Sequence, residues 1–191
     1  MAEHAHVAHA GHDAHDHKPH GWRRWLFATN HKDIGTMYLV FAAAMWLLGG
    51  AMAMVIRLEL FQPGMQFVDP QFFNSMTTVH ALLMVFGAVM PAWTGLANWM
   101  IPMQIGAPDM ALPRLNNFSF WLLPVAFTLL IATLFVPGGA PASGWTLYPP
   151  LVLQTADAFP LAMFAIHLMG ASSILGAINV IVTIMNMRAP G

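Results

Sequence analysis

Asn74-Ser75-Met76-Thr77-Thr78-Val79-His80-Ala81-Leu82-Leu83-Met84-Val85-Phe86-Gly87 opens a stretch that runs to Met103 without a Lys, Arg, Asp or Glu. About 20 apolar residues in helix cross the roughly 30 Å hydrocarbon layer of a bilayer, and this stretch is longer. It reads as a transmembrane helix that carries an imidazole. Ionisable groups inside a membrane are unfavourable and as a rule functional. Neutral imidazole is a common haem-iron ligand, and Gly87, two α-helical turns further along, would set bare backbone on the same face, where a flat macrocycle can lie close. His80 is therefore read as an axial haem ligand. The plain alternative is a histidine hydrogen-bonded to a neighbouring helix.

Outward from this stretch, the composition sets the class. The chain of 191 residues is 58% hydrophobic and 8% charged, far from the roughly 25% charged content of a soluble domain. Four windows are long enough to span a bilayer: Ile34 to Ile56, Asn74 to Met100, Phe118 to Val136 and Ala158 to Met187, none with a Lys, Arg, Asp or Glu. The expected fold is an all-α membrane protein of four transmembrane helices. The absence of cysteine excludes disulfides, iron–sulfur clusters and thiolate metal sites. In a four-span topology Lys18, Arg23, Arg24, Lys32, Arg114 and Arg188 fall on one side and Arg57 on the other. Basic residues concentrate on the cytoplasmic side, so both termini are expected there.

Residues 1–21 form a low-complexity tract with seven histidines. The tract lacks a signal-peptide core and regular ligand spacing, and is expected to be disordered. Residues 22–191 form the membrane region. Trp22-Arg23-Arg24-Trp25 has the cationic, aromatic character of an interface anchor and is expected to lie along the headgroups as a short helix. The first span opens at Asn30-His31-Lys32-Asp33, with Asp33 expected to cap it. Gly35, Gly49 and Gly50 leave room for a neighbouring helix or a cofactor tail.

The first span leaves at Arg57-Leu58-Glu59-Leu60. Arg57 is either an interfacial arginine snorkelling beside a glutamate or a cation near the substituents of a haem on His80. Glu59, with backbone carbonyls around Gln62 to Gly64, offers oxygen ligands to a hard cation. On the inner side, the loop Gly106 to Asn117 frames a lone carboxylate, Asp109, between prolines, with Asn98, Asn116, Asn117 and Ser119 close by in sequence. A carboxylate at a mouth collects protons, and asparagines hold water without titrating, as the entrance to a proton-conducting water wire requires. The alternative is a proline-fixed turn in which Asp109 pairs with Arg114 and the asparagines cap the third helix. On the outer loop, Trp145 is either a donor to a haem propionate or part of an aromatic belt. In the fourth span His167 is followed by Ser172, Ser173 and Asn179, polar groups that must find partners inside the bundle or line a hydrated path.

Trp25-Leu26-Phe27-Ala28-Thr29-Asn30-His31-Lys32-Asp33-Ile34-Gly35-Thr36, Gly106 to Asn117, Ser119-Phe120-Trp121-Leu122-Leu123-Pro124 and Ser172-Ser173-Ile174-Leu175-Gly176-Ala177-Ile178-Asn179 together resemble subunit I of haem-copper cytochrome c oxidase, of the mitochondrial-like type. The resemblance covers about Trp22 to Arg188, and implies that the four spans are the first four of a twelve-helix oxidase core. It implies that His80 ligates the low-spin haem a, that Arg57 lies at that haem's formyl group and that Trp145 partners a propionate. It also implies that Asp109, Asn98, Asn116, Ser119, Ser172, Ser173, Asn179 and Tyr38 lie along a D-type proton channel, and that Glu59 belongs to an outer calcium or sodium site.

The implied activity is electron transfer from cytochrome c through haem a to a haem-copper centre that reduces oxygen to water with proton pumping. The ligands of the second haem and of copper, the second axial histidine of the low-spin haem and the glutamate at the inner end of the channel lack counterparts here. No catalytic residue is therefore assigned within this chain. Phe73 stands where some members have a tyrosine. The expected partners are lipid, the remaining part of subunit I, a copper-bearing subunit II, subunit III and cytochrome c, with no nucleic acid. The expected location is a bacterial inner membrane rather than a mitochondrial one. Three alternatives stay open: a quinol oxidase, a four-helix b-type cytochrome with haem between His80 and His167, and a helical scaffold without a cofactor.

Overall fold

The structure is a computed structural model that describes residues 21–154 and 157–190; the expectation for the histidine-rich tail therefore lies outside the described residues, except for Gly21. Helix α1 is Trp22–Leu26. Its tryptophans Trp22 and Trp25 are exposed, and Arg23 and Arg24 stand over their rings at 5.8 and 5.3 Å. This is the amphipathic arrangement expected of an interface anchor.

Helix α2, His31–Glu59, is capped by Asn30, whose side chain accepts from the Lys32 N–H. Asp33, expected in that role, instead takes a bidentate grip from Arg24, Nε and Nη2 donating at 3.0 and 2.6 Å. The carboxylate of Asp33 holds the Arg24 guanidinium above its ordinary pKa. A planar guanidinium matches a carboxylate in this way, and the pair joins α1 to the start of the first span.

The second span, Pro70–Ile105, is built from three pieces: α3 (Pro70–Leu82), a π-helical stretch (Leu83–Val89) and α4 (Met90–Ile105). Asp69 caps it by accepting from the Gln71 and Phe72 N–H groups, with Pro70 in the first turn. It ends at Gly106, whose φ of 71° is the left-handed conformation that favours glycine at a helix C-terminus. Gly87 lies within the π-helical stretch. A Cβ there would meet Phe127 at 2.8 Å and Met45 at 3.0 Å, so Gly87 makes room for helix packing rather than for a macrocycle.

Helix α5, Pro113–Ala132, continues as a short 3₁₀ turn, Thr133–Phe135, and α6 is Phe159–Asn186. The third span begins five residues earlier than the apolar window at Phe118 suggests, because Pro113 is suited to a first turn. Asn116 and Asn117 therefore lie inside α5 and do not cap it. The start of α5 is held from another helix, the Leu112 N–H donating to Asn179 Oδ1 at 2.9 Å.

The four spans run antiparallel, with α2 packed on the second span and α5 on α6. Phe41, Phe120 and Phe127 meet edge-to-face in the core, around buried Ile34, Val79, Leu82, Leu83 and Leu130. At the inner end α2 and α4 approach backbone to backbone. A Cβ on Gly35 would meet Trp99 at 2.6 Å and the Gly95 carbonyl at 2.9 Å, the close contact that small residues allow between membrane helices. Trp46, Leu47, Trp93 and Ile174 point outward and exposed, as faces turned to lipid or neighbouring protein do.

Candidate functional site

Among the described residues the polar side chains of the interior gather in two places, one at each end of the second span. At the outer end, His80 is half-buried and its Nδ1 lies 2.8 Å from the Gly49 carbonyl. A carbonyl only accepts, so Nδ1 carries the proton and Nε2 keeps its lone pair. This is the tautomer and the kind of orienting bond that a metal-ligating histidine has. The neighbouring Gly50 is open, with nothing within 4 Å of an added Cβ. The donor chemistry, a half-buried imidazole with Nδ1 bonded and Nε2 free to donate, fits a haem-iron ligand.

His167 is placed differently. It is exposed on α6, and its Nδ1–H donates to Met163 of its own helix at 2.7 Å. Helix α6 packs chiefly on α5 and α4, so the structure does not bring His167 to face His80 across a shared haem.

Arg57 is exposed at the outer end of α2, two turns beyond Gly49 and about 12 Å further at 1.5 Å per residue. Trp145 is 50% exposed. Its loop is fastened near His80, because the Gly144 N–H donates to Thr78 Oγ1 at 3.0 Å. Ser75 adds a second tie, donating to the Ala140 carbonyl at 2.7 Å. His80, Arg57 and Trp145 therefore share one end of the molecule.

Glu59 is buried and spends its carboxylate on the loop that follows. Oε1 accepts from the Gln66 N–H at 2.8 Å, and Oε2 from the Phe67 and Val68 N–H groups at 2.7 and 3.1 Å. A hard cation there would have to share a carboxylate already bonded to three amides, through the lone pair left on Oε1. Among the described residues no group of three or more His, Cys, Asp or Glu is placed to hold a metal ion.

At the inner end the polar residues form a hydrogen-bonded line. Asp109 is half-buried, and its Oδ1 accepts from the backbone N–H of His31 at 3.1 Å and of Met110 at 2.7 Å. The Arg114 pairing considered for this loop is absent among the described residues, where the ion pair formed is Arg24–Asp33. The His31 ring, buried, donates from Nδ1 to the Asn98 carbonyl at 2.8 Å. Asn98 Oδ1 accepts from Asn116 Nδ2. Ser119 Oγ donates to the Asn116 carbonyl at 2.8 Å, Tyr38 Oη lies 2.9 Å from Ser119 Oγ, and Ser172 Oγ donates to the Ser119 carbonyl at 2.6 Å. Asn98, Asn116, Ser119, Tyr38 and Ser172 are all buried.

The line opens into a cleft of about 370 Å³ between α4 and α6 whose polar lining is Tyr38, Thr94, Ser172 and Ser173. Ser173 is exposed to this cleft and outside the hydrogen-bonded line. Asn179, fully buried, uses its oxygen on Leu112 and leaves Nδ2 without a partner. A buried amide donor of this kind is one that a bound water satisfies.

Sequence reasoning missed three members. His31 was visible only as part of the Asn30-His31-Lys32-Asp33 run, and its partner is 67 residues away. Thr94 accepts at its carbonyl from Asn98 Nδ2 at 2.9 Å. Thr183 Oγ1 accepts from the Ala111 N–H at 2.9 Å and donates to the Asn179 carbonyl at 2.7 Å. Its spacing of four from Asn179 was the available signal.

Fold and site together define a class: a polytopic helical membrane protein with an oriented imidazole near one surface and a polar line reaching inward from the other. Residues 33–191 match the family model described as cytochrome c and quinol oxidase polypeptide I, and the chain belongs to that family. It is 49% identical over 174 residues to cytochrome c oxidase subunit 1 of Candida albicans, an alignment that covers 88% of this chain and 33% of that protein. The chain thus spans about a third of the length of the curated relative it matches.

Proposed function

We propose that this chain is the N-terminal part of the core subunit of a terminal respiratory oxidase. In the complete enzyme electrons pass from cytochrome c through haem a to a haem-copper centre, and oxygen is reduced to water with proton pumping. His80 holds the low-spin haem a through Nε2, with Arg57 and Trp145 toward its polar substituents. Bound there, haem supplies reversible one-electron chemistry. The protein's part is to orient the imidazole, exclude water and set the charge nearby. The second haem and copper are held by residues outside this chain, in contact with a copper-bearing subunit II and subunit III.

Asp109 takes up protons at the inner surface. Asn98, Asn116, Ser119, Tyr38, Ser172, Ser173 and Asn179 provide the hydrogen-bonding wall along which they move inward. The observation that carries this reading is the run of residue-to-residue hydrogen bonds, through backbone as well as side-chain groups, from Asp109 by way of His31, Asn98, Asn116 and Ser119 to Tyr38 and Ser172. Neutral amides and hydroxyls predominate along it, groups that hold water without trapping a proton. A calcium or sodium ion at Glu59 is part of the same proposal, sharing the carboxylate with the loop amides.

We place the protein in a bacterial inner membrane with both termini cytoplasmic. The six-to-one placement of its basic residues supports that orientation. Pyridine haemochrome analysis of the purified complete enzyme, with oxygen uptake on cytochrome c or quinol, tests the reading. Haem a and cytochrome c oxidation are expected; quinol oxidation without cytochrome c oxidation moves the assignment to the quinol branch, and haem b alone or no haem overturns it.

A further inference from the structure

Gly49 accepts the Nδ1–H of His80 at 2.8 Å from the middle of α2. It also sits under Met84, one turn along from His80 on the second span. A Cβ built on Gly49 would lie 2.7 Å from Met84 Sδ, 3.0 Å from Met84 Cγ and 3.6 Å from Leu83 Cβ. The Sδ contact alone could clear by rotation about the Cβ–Cγ bond of Met84. The Cγ contact is closer to the helix, and clears either by rotation of the Met84 side chain about Cα–Cβ or by the helices parting by a few tenths of an ångström. Glycine inside a helix is unfavourable by about 1 kcal/mol relative to alanine, so its place here needs a reason, and the short approach of α2 to the second span is one.

The approach matters because of what the carbonyl does. An imidazole that donates Nδ1–H to an oxygen gains imidazolate character at its other nitrogen, becomes a stronger donor to a metal, and favours the oxidised ion. A helical carbonyl has a second lone pair beyond the one its own helix uses, so Gly49 can accept this bond without giving up α2. The distance between the helices thus sets how strongly Gly49 polarises His80.

We infer that Gly49 is a positioning residue for the haem ligand: its carbonyl fixes which ring nitrogen of His80 meets iron and how electron-rich it is, and its missing side chain keeps that carbonyl in reach against Met84. The inference rests on the reading of His80 as an axial ligand. Weakening the bond makes the low-spin haem easier to reduce, and the helix contact, not the glycine itself, is the controlling quantity.

The test is a redox titration of the low-spin haem in the purified complete oxidase, followed at its reduced-state absorption band. Gly49→Ala is expected to raise the midpoint potential. Gly49→Ala combined with Met84→Ala, which removes the obstructing side chain, is expected to return it to the wild-type value, and Met84→Ala alone to leave it there. A wild-type potential in Gly49→Ala with haem content intact overturns the inference. So does a raised potential in the double variant, or an equal rise in Met84→Ala alone. If Gly49→Ala fails to assemble with haem, the double variant must assemble and titrate as wild type, and its failure overturns the inference too. His80→Ala keeps the two readings apart. A low-spin band that survives His80→Ala removes the ligand assignment, whereas a band that depends on His80 with a potential indifferent to Gly49 removes only the role of Gly49.

Discussion

The backbone N–H of His31 donates to Asp109 Oδ1 at 3.1 Å, joining the first turn of α2 to a loop 78 residues away. The same oxygen accepts from Met110. The carboxylate therefore has a structural duty, holding the loop, beside the proposed chemical one, and substitutions can separate the two.

Asp109→Asn keeps an oxygen for both amides and removes the charge. In the complete oxidase it is expected to slow oxygen consumption strongly and to abolish proton release by the turnover that remains, with haem content unchanged. Asp109→Ala removes the oxygen as well and leaves two part-buried N–H groups unpaired, each at up to about 1–3 kcal/mol. It is expected to lower the yield of assembled enzyme in addition. Oxygen uptake and proton release per haem a in reconstituted vesicles check both, and normal pumping in Asp109→Asn would leave only the structural duty.

Asn116→Asp sets an acceptor where Nδ2 now donates to Asn98 Oδ1. An ionised carboxylate in this buried place faces another oxygen and is unfavourable, so the new group takes and keeps a proton. Electron transfer is expected to continue while protons pumped per electron fall. Measuring both rates in the same vesicles decides it, because a purely structural defect would reduce them together.

His80→Ala is expected to remove the low-spin haem band, and His167→Ala, whose ring is bonded to its own helix at Met163, to leave it unchanged. Absorption spectra of the reduced, purified variants report the outcome. Loss of the band in His167→Ala would reopen the two-histidine arrangement.

Because this stretch of 191 residues has no cysteine, the label taken up by an introduced cysteine is read as the difference from the unaltered complex treated alike. Tyr148→Cys, exposed on the outer loop, is expected to react with a membrane-impermeant maleimide added outside. Ala107→Cys, in the inner loop, is expected to react only after the membrane is opened. The reverse pattern would invert the orientation and move the Asp109 mouth to the wrong side for proton uptake.

Much of this architecture was legible in one dimension because a bilayer asks simple things of a sequence. Four windows without charge became four spans, and Trp22 to Trp25 became a surface helix, since burial of apolar length and satisfaction of backbone groups leave few choices. Local chemistry was less legible where two neighbours competed for one task. Asn30 and Asp33 can both cap a helix, and only the position of Arg24 decides that Asp33 is taken elsewhere. The start of α5 at Pro113 was hidden because polar Asn116 and Asn117 interrupt the apolar pattern, and the partner of Asn116, Asn98, lies on the second span. The bonds of His31 to Asn98 and of Asn179 to Leu112 depend on helix packing, about which spacing along the chain says nothing. The π-helical stretch left no sign at all in the apolar run from Leu82 to Met90.

That stretch bears on how one helix would serve the two tasks proposed for it. Eighteen residues separate His80 from Asn98, which in an uninterrupted α-helix at 3.6 residues per turn is five whole turns. Both would then look in the same direction, and the iron side and the water side of the protein would compete for one stripe. A π turn inserts a residue into the thread and shifts everything beyond it by about 100°. On the proposed function, the outer half would then be aimed at an electron carrier and the inner half at a hydrated passage, separated within a single rod. Removing one residue between Leu83 and Val89 would leave two sound half-helices, a continuous hydrophobic run and every named side chain in place, yet only one of the two stripes could be seated at a time.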